Sequence, residues 1–440
     1  MLDIRFIREN KEEIKKAAKN KHVDLDLKRL LALDDKRLKA MQEVEGLQAE
    51  KNKINDSIRS AKNKNERAKI IAGGKKIKSK IDLVEPDYNK ILSEYNSLMI
   101  KVPTIPSADT PIGKGEEDNK EVYVWGEKPK FDFKPKDHIE IGKNLDLLDL
   151  ERGKKVAGYR GYYLKNEGAL LAMGLMMYAL KKMVQSGYTP IIPPTLVKGG
   201  ALFGSGYFKG LEYSDEVDEI YQIASQDKEV DGAASKERKF LVGTSEPSLL
   251  AYYGGEVLEE KNLPLKMTGY SQCYRSEIGS YGRDTKGIYR VHEFMKVEQV
   301  VFCKADKKEA EKLQDEMLGI SQEILEDLGL PYRKIIICTG DLSAGKYRQY
   351  DLEVWLAANS WYRESGSASI FLDWQSRRLD VKYKDANDKK QYVYMLNNTA
   401  IATPRVLIGI LENYQQKDGT VRVPKALVEY VGKEIIRPRK

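Results

Sequence analysis

Arg275 and Glu277 stand two residues apart, and Arg290, His292, Phe294, Lys296 and Glu298 alternate along a second stretch fifteen residues on. In an extended backbone every second side chain shares a face. Gln272 to Glu277, a glycine-rich stretch through Gly287, and Ile288 to Glu298 therefore read as strand, long basic loop, strand. One face would carry Arg, Glu, Arg, Phe and Glu together. A guanidinium fork grips phosphate or carboxylate oxygens in pairs, so such a face suits anion chemistry. By pattern alone it is either a polar sheet surface or an active site.

Familiar nucleotide signals are missing. There is no G-x-x-x-x-G-K-[ST], and Gly204-Ser-Gly206-Tyr-Phe-Lys-Gly210 has the wrong spacing for a dinucleotide fingerprint and reads as a loop. Any ATP site must be built differently. Cys273, Cys303 and Cys338 sit among apolar or aromatic neighbours and read as buried free thiols of a reducing compartment. With only His22, His138 and His292 beside them, no Cys/His zinc site forms at a known spacing. No run nears 18 apolar residues, and Met1-Leu-Asp-Ile-Arg-Phe6 has no secretory pattern, so the expectation is a cytoplasmic protein with no membrane partner.

The elements that must position these residues fall into two parts. Leu31, Leu38, Met41, Val44, Leu47, Ile54 and Ile58 form one helical stripe; Ile77, Ile81, Val84, Tyr88, Ile91, Tyr95 and Leu98 form another. One stripe per helix predicts an antiparallel α-helical coiled-coil arm over about 28–98, with Gly73-Gly74 interrupting the run, a tip over 60–74, and a kink or break at Pro86. Residues 51–80 hold eleven Lys/Arg against two acids, a surplus of nine where the whole chain carries +8. A solvated helix face would explain some of this; concentration of the whole imbalance in one segment favours a polyanion. Lys101-Val-Pro-Thr-Ile-Pro106 ends the arm domain, 1–106, and the Pro-, Gly- and acid-rich 107–135 reads as a linker. From 136 to 440, helical patterns (168–186, 307–328, 404–415) alternate with strand-like runs at Lys334–Cys338, Tyr350–Trp355 and Arg378–Tyr383. That alternation predicts an α+β domain with a largely antiparallel sheet and flanking helices.

The segment about 270–298 resembles motif 2 of the class II aminoacyl-tRNA synthetases, and Tyr289-Arg-Val-His292 with Phe294-Met-Lys-Val-Glu298 is similar to the seryl branch of that family. Gly187-Tyr-Thr-Pro-Ile-Ile-Pro-Pro194, closing about 170–194, resembles motif 1. Leu396-Asn-Asn-Thr-Ala-Ile-Ala-Thr-Pro-Arg405 with Leu411-Glu-Asn-Tyr-Gln-Gln416, about 396–415, resembles motif 3. Met1-Leu-Asp-Ile-Arg-Phe-Ile-Arg-Glu-Asn10, Ile105-Pro106, Trp125-Gly126, Pro135-Lys-Asp-His138 and Leu145-Asp-Leu-Leu-Asp149 match the family's text between motifs, so the likeness spans nearly the whole chain.

The resemblance implies a class II catalytic fold and a ligase that activates L-serine with ATP to seryl-adenylate and transfers it to the 3′ end of tRNA(Ser), with tRNA(Sec) left open. Carried over by position, Thr244, Glu246, Arg275, Glu298, Asn397 and Thr399 would bind serine. Arg275, Ser276, Glu277, Arg290, Val291, Phe294, Glu364, Ser365, Gly366, Ser367 and Arg405 would bind ATP, with Phe294 and Arg405 sandwiching adenine. Arg275, Glu364 and Arg405 would be catalytic, and Glu364 with Ser367 would hold Mg2+, a carboxylate and a hydroxyl suiting a hard cation. A homodimer is implied, with Lys62, Lys64, Lys75 and Lys76 of the arm on tRNA bound by the other subunit and no DNA partner. A ligase delivering its amino acid to a carrier protein would lack such an arm, and a non-catalytic relative would have lost one of Arg275, Glu298, Glu364 or Arg405. Singly, Thr244-Ser245 before Pro247 could be a helix N-cap, Phe294 core, and Arg405 a first-turn surface residue. Ala368, Ile370 and Asn398 depart from the family's text, which leaves open the fine shape of the amino-acid side of the pocket and the strength of threonine rejection.

Overall fold

The structure is a computed structural model that describes residues 1–439 except 61–62, 226–227, 229–230, 234, 236 and 279–285. It divides into two compact units, Met1–Pro103 and Thr104–Lys440.

In the first unit, two short helices, α1 (Ile4–Glu9) and α2 (Lys11–Asn20), precede two long ones, α3 (Leu27–Ser60) and α4 (Lys64–Met99). At 1.5 Å per residue the long pair extends roughly 50 Å. Leu30, Leu33 and Val44 of α3 are buried, as are Ile81, Tyr95 and Met99 of α4, so each helix spends its apolar stripe on its partner. At the base, the buried Asp34 carboxylate is held by Arg8 and Arg37, each at 2.7 Å, and the Arg37 guanidinium lies 4.7 Å from the Tyr95 ring centre. Removing one arginine would strand part of a buried charge. The stretch Gly73-Gly74 neither interrupts the second helix nor forms the tip. Both glycines lie inside α4, and a Cβ on Gly74 would stand 3.2 Å from Ile54 Cγ2, so Gly74 serves close approach of α3. Helix α3 ends at Ser60 and α4 begins at Lys64. Pro86 does not end α4 either: it sits on the exposed side, where the carbonyl of Asp82, also exposed, can turn to water.

The second unit is built on an eight-stranded sheet among the described residues. Its strands are β1 (Lys120–Trp125), β2 (Thr189–Ile191), β3 (Leu265–Tyr274), β4 (Glu293–Cys303), β5 (Tyr332–Ile336), β6 (Arg348–Leu356), β7 (Trp361–Leu372) and β8 (Tyr394–Ala402). They run in the order β1-β5-β6-β7-β8-β4-β3-β2, antiparallel except for β2 beside β3. Four helices matter to the site: α5 (Asn166–Gln185), α6 (Glu246–Leu250), α7 (Lys307–Asp327) and α8 (Thr403–Asn413). Period-two alternation sends Val297 and Val301 of β4, Leu396 of β8 and Ile370 of β7 into one core with Leu313, Met317 and Ile324 of α7. The residues between them are left to the opposite face.

Two expectations change here. The segment 107–135 is not a free linker, because Lys120–Trp125 is the edge strand β1, paired antiparallel with β5; its Pro and Gly neighbours hide a strand whose side chains are mostly exposed and so lack apolar alternation. Arg378–Tyr383 is not one strand. A helical turn ends at Leu379, Asp380 takes a left-handed φ of 53°, and only Lys382–Lys384 pairs, in a separate three-stranded sheet.

Candidate active site

Strand β3 stops at Tyr274, so Arg275 and Glu277 do not share a strand face as the R-x-E spacing suggested. The backbone of Arg275 still pairs with that of His292, its N–H donating to the His292 carbonyl at 2.9 Å, and the His292 ring Nδ1 lies 2.8 Å from the Arg275 carbonyl. Glu277 then turns to φ 55°. That turn brings its carboxylate to Arg290 Nη1 at 3.3 Å and Arg160 Nη1 at 3.5 Å. Arg275 is fixed by Nε donating to the Gly243 carbonyl (3.2 Å) and by its guanidinium lying over Phe294 (5.4 Å). Neither contact uses its terminal Nη donors, the pair that grips an oxyanion.

The returning limb of the loop is anchored from outside. The Ile288 N–H donates to His138 Nε2 at 3.3 Å, and His138 Nδ1 lies 3.1 Å from Glu412 of α8. Gly287, φ 67°, is pressed against that ring, where a Cβ would fall 1.9 Å from Nε2. One pocket is lined by Arg275, Glu277, Arg290, Val291, Phe294, Glu364, Ser365, Gly366 and Arg405 together with Tyr289, Lys296 and Thr399. Segments separated by more than a hundred residues are thus brought together. Ser276, with its hydroxyl buried and without a hydrogen-bond partner among the described residues, stands next to Arg275 but does not line this pocket.

Glu364 and Ser367, three apart, would point to opposite faces of an uninterrupted strand. A bulge between them corrects this: Leu352 pairs with Gly366 but Glu353 pairs with Glu364, so Ser365 is the extra residue. Both side chains then share the face of Asp351, the register partner of Ser367. Arg405 Nη1 donates to the Glu364 carbonyl at 2.7 Å and its carboxylate at 3.1 Å, and the guanidinium lies 4.7 Å from the Tyr289 ring centre. Burial among protein atoms opposes ionisation of Glu364, yet Arg405 and Arg275 hold its carboxyl below the usual range. Asp351 is pushed the other way, upward, by burial and then by the charge of Glu364. Ser367 Oγ is buried beside Asp351, and its hydroxyl opposes the rise of that carboxyl. Two neighbouring carboxyls pushed in opposite directions beside a buried hydroxyl fit a hard divalent cation.

Deeper in, Glu298 is 3% exposed. It meets Lys296 Nζ at 2.5 Å and accepts from Thr399 Oγ1 at 3.4 Å. Asn397, also buried, lies two residues from Thr399 on β8, on the same face. Thr244 is buried and Glu246 opens α6, so the helix-start reading is right about position; however, Ser245 makes no side-chain cap. The Glu246 carboxylate instead accepts from Tyr207 OH (2.9 Å) and Gln375 Nε2 (2.8 Å). Sequence reasoning passed over Tyr207, Gln375, Asp351 and Tyr289; the first two come from distant segments with no motif signal, whereas Tyr289 lay inside the quoted motif.

Asn398 points away from all of this. Its Nδ2 donates to the Met317 carbonyl (3.0 Å) and to Ser321 Oγ (2.8 Å) on α7. Ala368 and Ile370, fully buried, belong to the same helix-covered core. The point left open at these three positions is answered by strand alternation, which puts them on the other face of the sheet, away from the amino-acid side of the pocket. Asn398→Gly is expected to leave the serine-to-threonine ratio of kcat/KM in ATP–pyrophosphate exchange within about twofold, because its side chain faces α7 and not the pocket; a larger change would place Asn398 in the pocket.

In the arm unit, Lys64, Arg67, Lys69, Lys75, Lys76, Lys78 and Lys80 are exposed along α4, and Lys51, Lys53 and Arg59 along α3; Lys62 lies outside the described residues. Among the described residues, no helix is long and apolar enough to cross a membrane.

Residues 229–414 match the tRNA synthetase class II core domain (G, H, P, S and T), and residues 1–106 match the seryl-tRNA synthetase N-terminal domain. The serine–tRNA ligase of Borrelia garinii is 40% identical over 435 residues, 98% of each chain. The chain belongs to the seryl-tRNA synthetase family. The serine–tRNA ligase of Deinococcus radiodurans is 41% identical over 432 residues, again 98% of each. The crystal structure of seryl-tRNA synthetase from Pyrococcus horikoshii complexed with ATP aligns over 100% of both chains with a TM-score of 0.84 and 34% identity. The fold is thus that of a class II synthetase, and the activity is serine–tRNA ligation.

Proposed function

We propose that the pocket between β3, β4, β7 and β8 performs both half-reactions of that ligation with the residues named above. The single observation that carries the assignment is the convergence of Arg275, Glu364 and Arg405 on one pocket beside the acid Glu298. ATP lies along the sheet face, its α-phosphate on Arg275 and its base between Phe294 and Arg405. Glu277, Arg290, Val291, Ser365 and Gly366 complete the nucleotide side, with Ser276 behind them next to Arg275. Serine's ammonium meets Glu298, and its hydroxyl reaches Glu246, with Thr244, Asn397 and Thr399 closing the side-chain pocket. Serine's carboxylate is already ionised near neutral pH and is itself the nucleophile, so no general base is needed. Attack on the α-phosphorus forms the mixed anhydride and expels pyrophosphate; the terminal ribose hydroxyl of tRNA then attacks the acyl carbon and releases AMP. Positioning and charge neutralisation are what the chain must supply.

Glu364 and Ser367 would hold Mg2+, which when bound neutralises phosphate charge. The chain works in the cytoplasm, which its buried free thiols Cys273, Cys303 and Cys338 support. It acts as a homodimer: α5 exposes Leu170, Met173, Met177 and Val184 at helical spacing, and Ile192 just beyond is 84% exposed, a stripe suited to a second copy. Met173→Lys with Met177→Lys is expected to shift sedimentation from dimer to monomer; an unchanged dimer would move the interface elsewhere.

Alanine lacks the hydroxyl and leaves the remaining acceptor capacity of the Glu246 carboxylate unused, so its kcat/KM is expected to fall far below serine's. Threonine adds only a methyl, and its rejection is about a hundredfold at most. The direct test is charging of tRNA transcripts with labelled serine, ATP and Mg2+. Charged tRNA(Ser) is expected; a parallel reaction with tRNA(Sec) decides the second substrate. Failure to charge tRNA(Ser) in a protein that forms adenylate would contradict the transfer half of the proposal.

A further inference from the structure

The carboxylate of Glu246 is held at both ends. Gln375 Nε2 donates to Oε1 at 2.8 Å, and Tyr207 OH donates to Oε2 at 2.9 Å. The donors are themselves fixed. Gln375 is fully buried, and the same Nε2 also donates to the Ser205 carbonyl at 3.0 Å. Tyr207 follows Gly206, whose φ of 93° and contact with Trp374, 2.7 Å from a would-be Cβ, admit only glycine. The loop carrying Tyr207 is thereby seated against the residue that precedes Gln375. From the other side, Gly269 of β3 presses on Ser245, where a Cβ would fall 2.8 Å from Oγ, so the start of α6 is fixed as well.

Both donors are neutral. A carboxylate oxygen accepts more than one hydrogen bond, so each oxygen of Glu246 keeps capacity for a ligand donor, and its negative charge is not cancelled by a bonded cation in these two contacts. Burial and the charge of Glu298 push the Glu246 carboxyl up, and the Gln375 and Tyr207 bonds oppose that rise. Burial and the neighbouring Glu246 likewise raise the Tyr207 phenol well above its ordinary value, so it remains a donor.

We propose that Tyr207 and Gln375 are positioning residues that set serine selectivity by locking the Glu246 carboxylate plane. The lock presents an acceptor to the serine hydroxyl without reorganisation, and it prevents the carboxylate from swinging aside to admit threonine's methyl or to find another partner when alanine is bound. The inference rests on the reading of Glu246 as the serine hydroxyl's acceptor.

Tyr207→Phe removes one hydroxyl and keeps the ring; Gln375→Met keeps the volume and removes the amide. In serine-, alanine- and threonine-dependent exchange on the full-length protein, each is expected to raise the serine KM about tenfold, the worth of one hydrogen bond to a charged group. The ATP KM should stay within twofold, and the serine-over-alanine ratio should fall by the same factor as serine's kcat/KM. An unchanged serine KM in both variants would overturn the proposal, as would serine and ATP KM rising together, the sign of a merely structural role. Glu246→Gln in the same assay separates the two levels. If it collapses the serine-over-alanine ratio while both lock variants do not, only the lock is wrong. If it leaves that ratio intact, the pocket reading fails and the lock falls with it.

Discussion

Replacing Arg275 with alanine is expected to all but abolish serine-dependent ATP–pyrophosphate exchange, by about 10²–10³-fold in kcat, the scale set by losing one preorganised transition-state donor. The side chain is fixed by Gly243 and Phe294 at its Nε and its flat face, neither of which engages its terminal nitrogens. The charge they would meet grows as the carboxylate attacks and pyrophosphate departs. A lysine offers a point charge without the fork, so Arg275→Lys should recover little. Because those two contacts are modest, the alanine variant should fold and sediment as the parent does. Substantial residual exchange with normal saturation would remove Arg275 from the α-phosphate.

The second large effect concerns the arm. Deleting about 28–98 is expected to keep serine-dependent exchange and to abolish charging of tRNA. α3 and α4 bury their apolar faces on each other and leave a row of lysines and arginines exposed on the distal half. Each phosphate contact releases counterions, so tRNA affinity should fall steeply with salt. Neutralising Lys62, Lys64, Lys75 and Lys76 together should flatten that log–log slope by roughly 3–4 units while exchange is unchanged. Charging at the full-length rate by the deleted protein would reduce the basic segment to a solvated surface.

Much of this could be read from the chain before its fold. The helices at 166–185, 307–327 and 403–413 came from apolar periodicity, and the two long arm helices from one stripe each. What periodicity could not show is where alternation breaks. The bulge at Ser365 decides that Glu364 and Ser367 share a face, and nothing in three residues of sequence announces it. Glu277 reaches its arginines only through a left-handed turn after the strand has ended. Asn398 drew attention because it departs from the family's text between Asn397 and Thr399, although alternation alone places it with α7. Gly73-Gly74 read as punctuation because propensity weighs glycine against helix, whereas close approach of a neighbouring helix favours it. The lock on Glu246 joins residues 39 and 129 positions away, beyond any local pattern.

Amino-acid-dependent ATP–pyrophosphate exchange, run across the twenty amino acids at equal concentration, tests the central claim most directly. The geometry of Glu298, Thr399 and the Glu246 carboxylate predicts one dominant signal, from serine, with alanine near background and threonine a distant second. Alanine exchanging with a kcat/KM comparable to serine's, or any other amino acid surpassing serine, would contradict it.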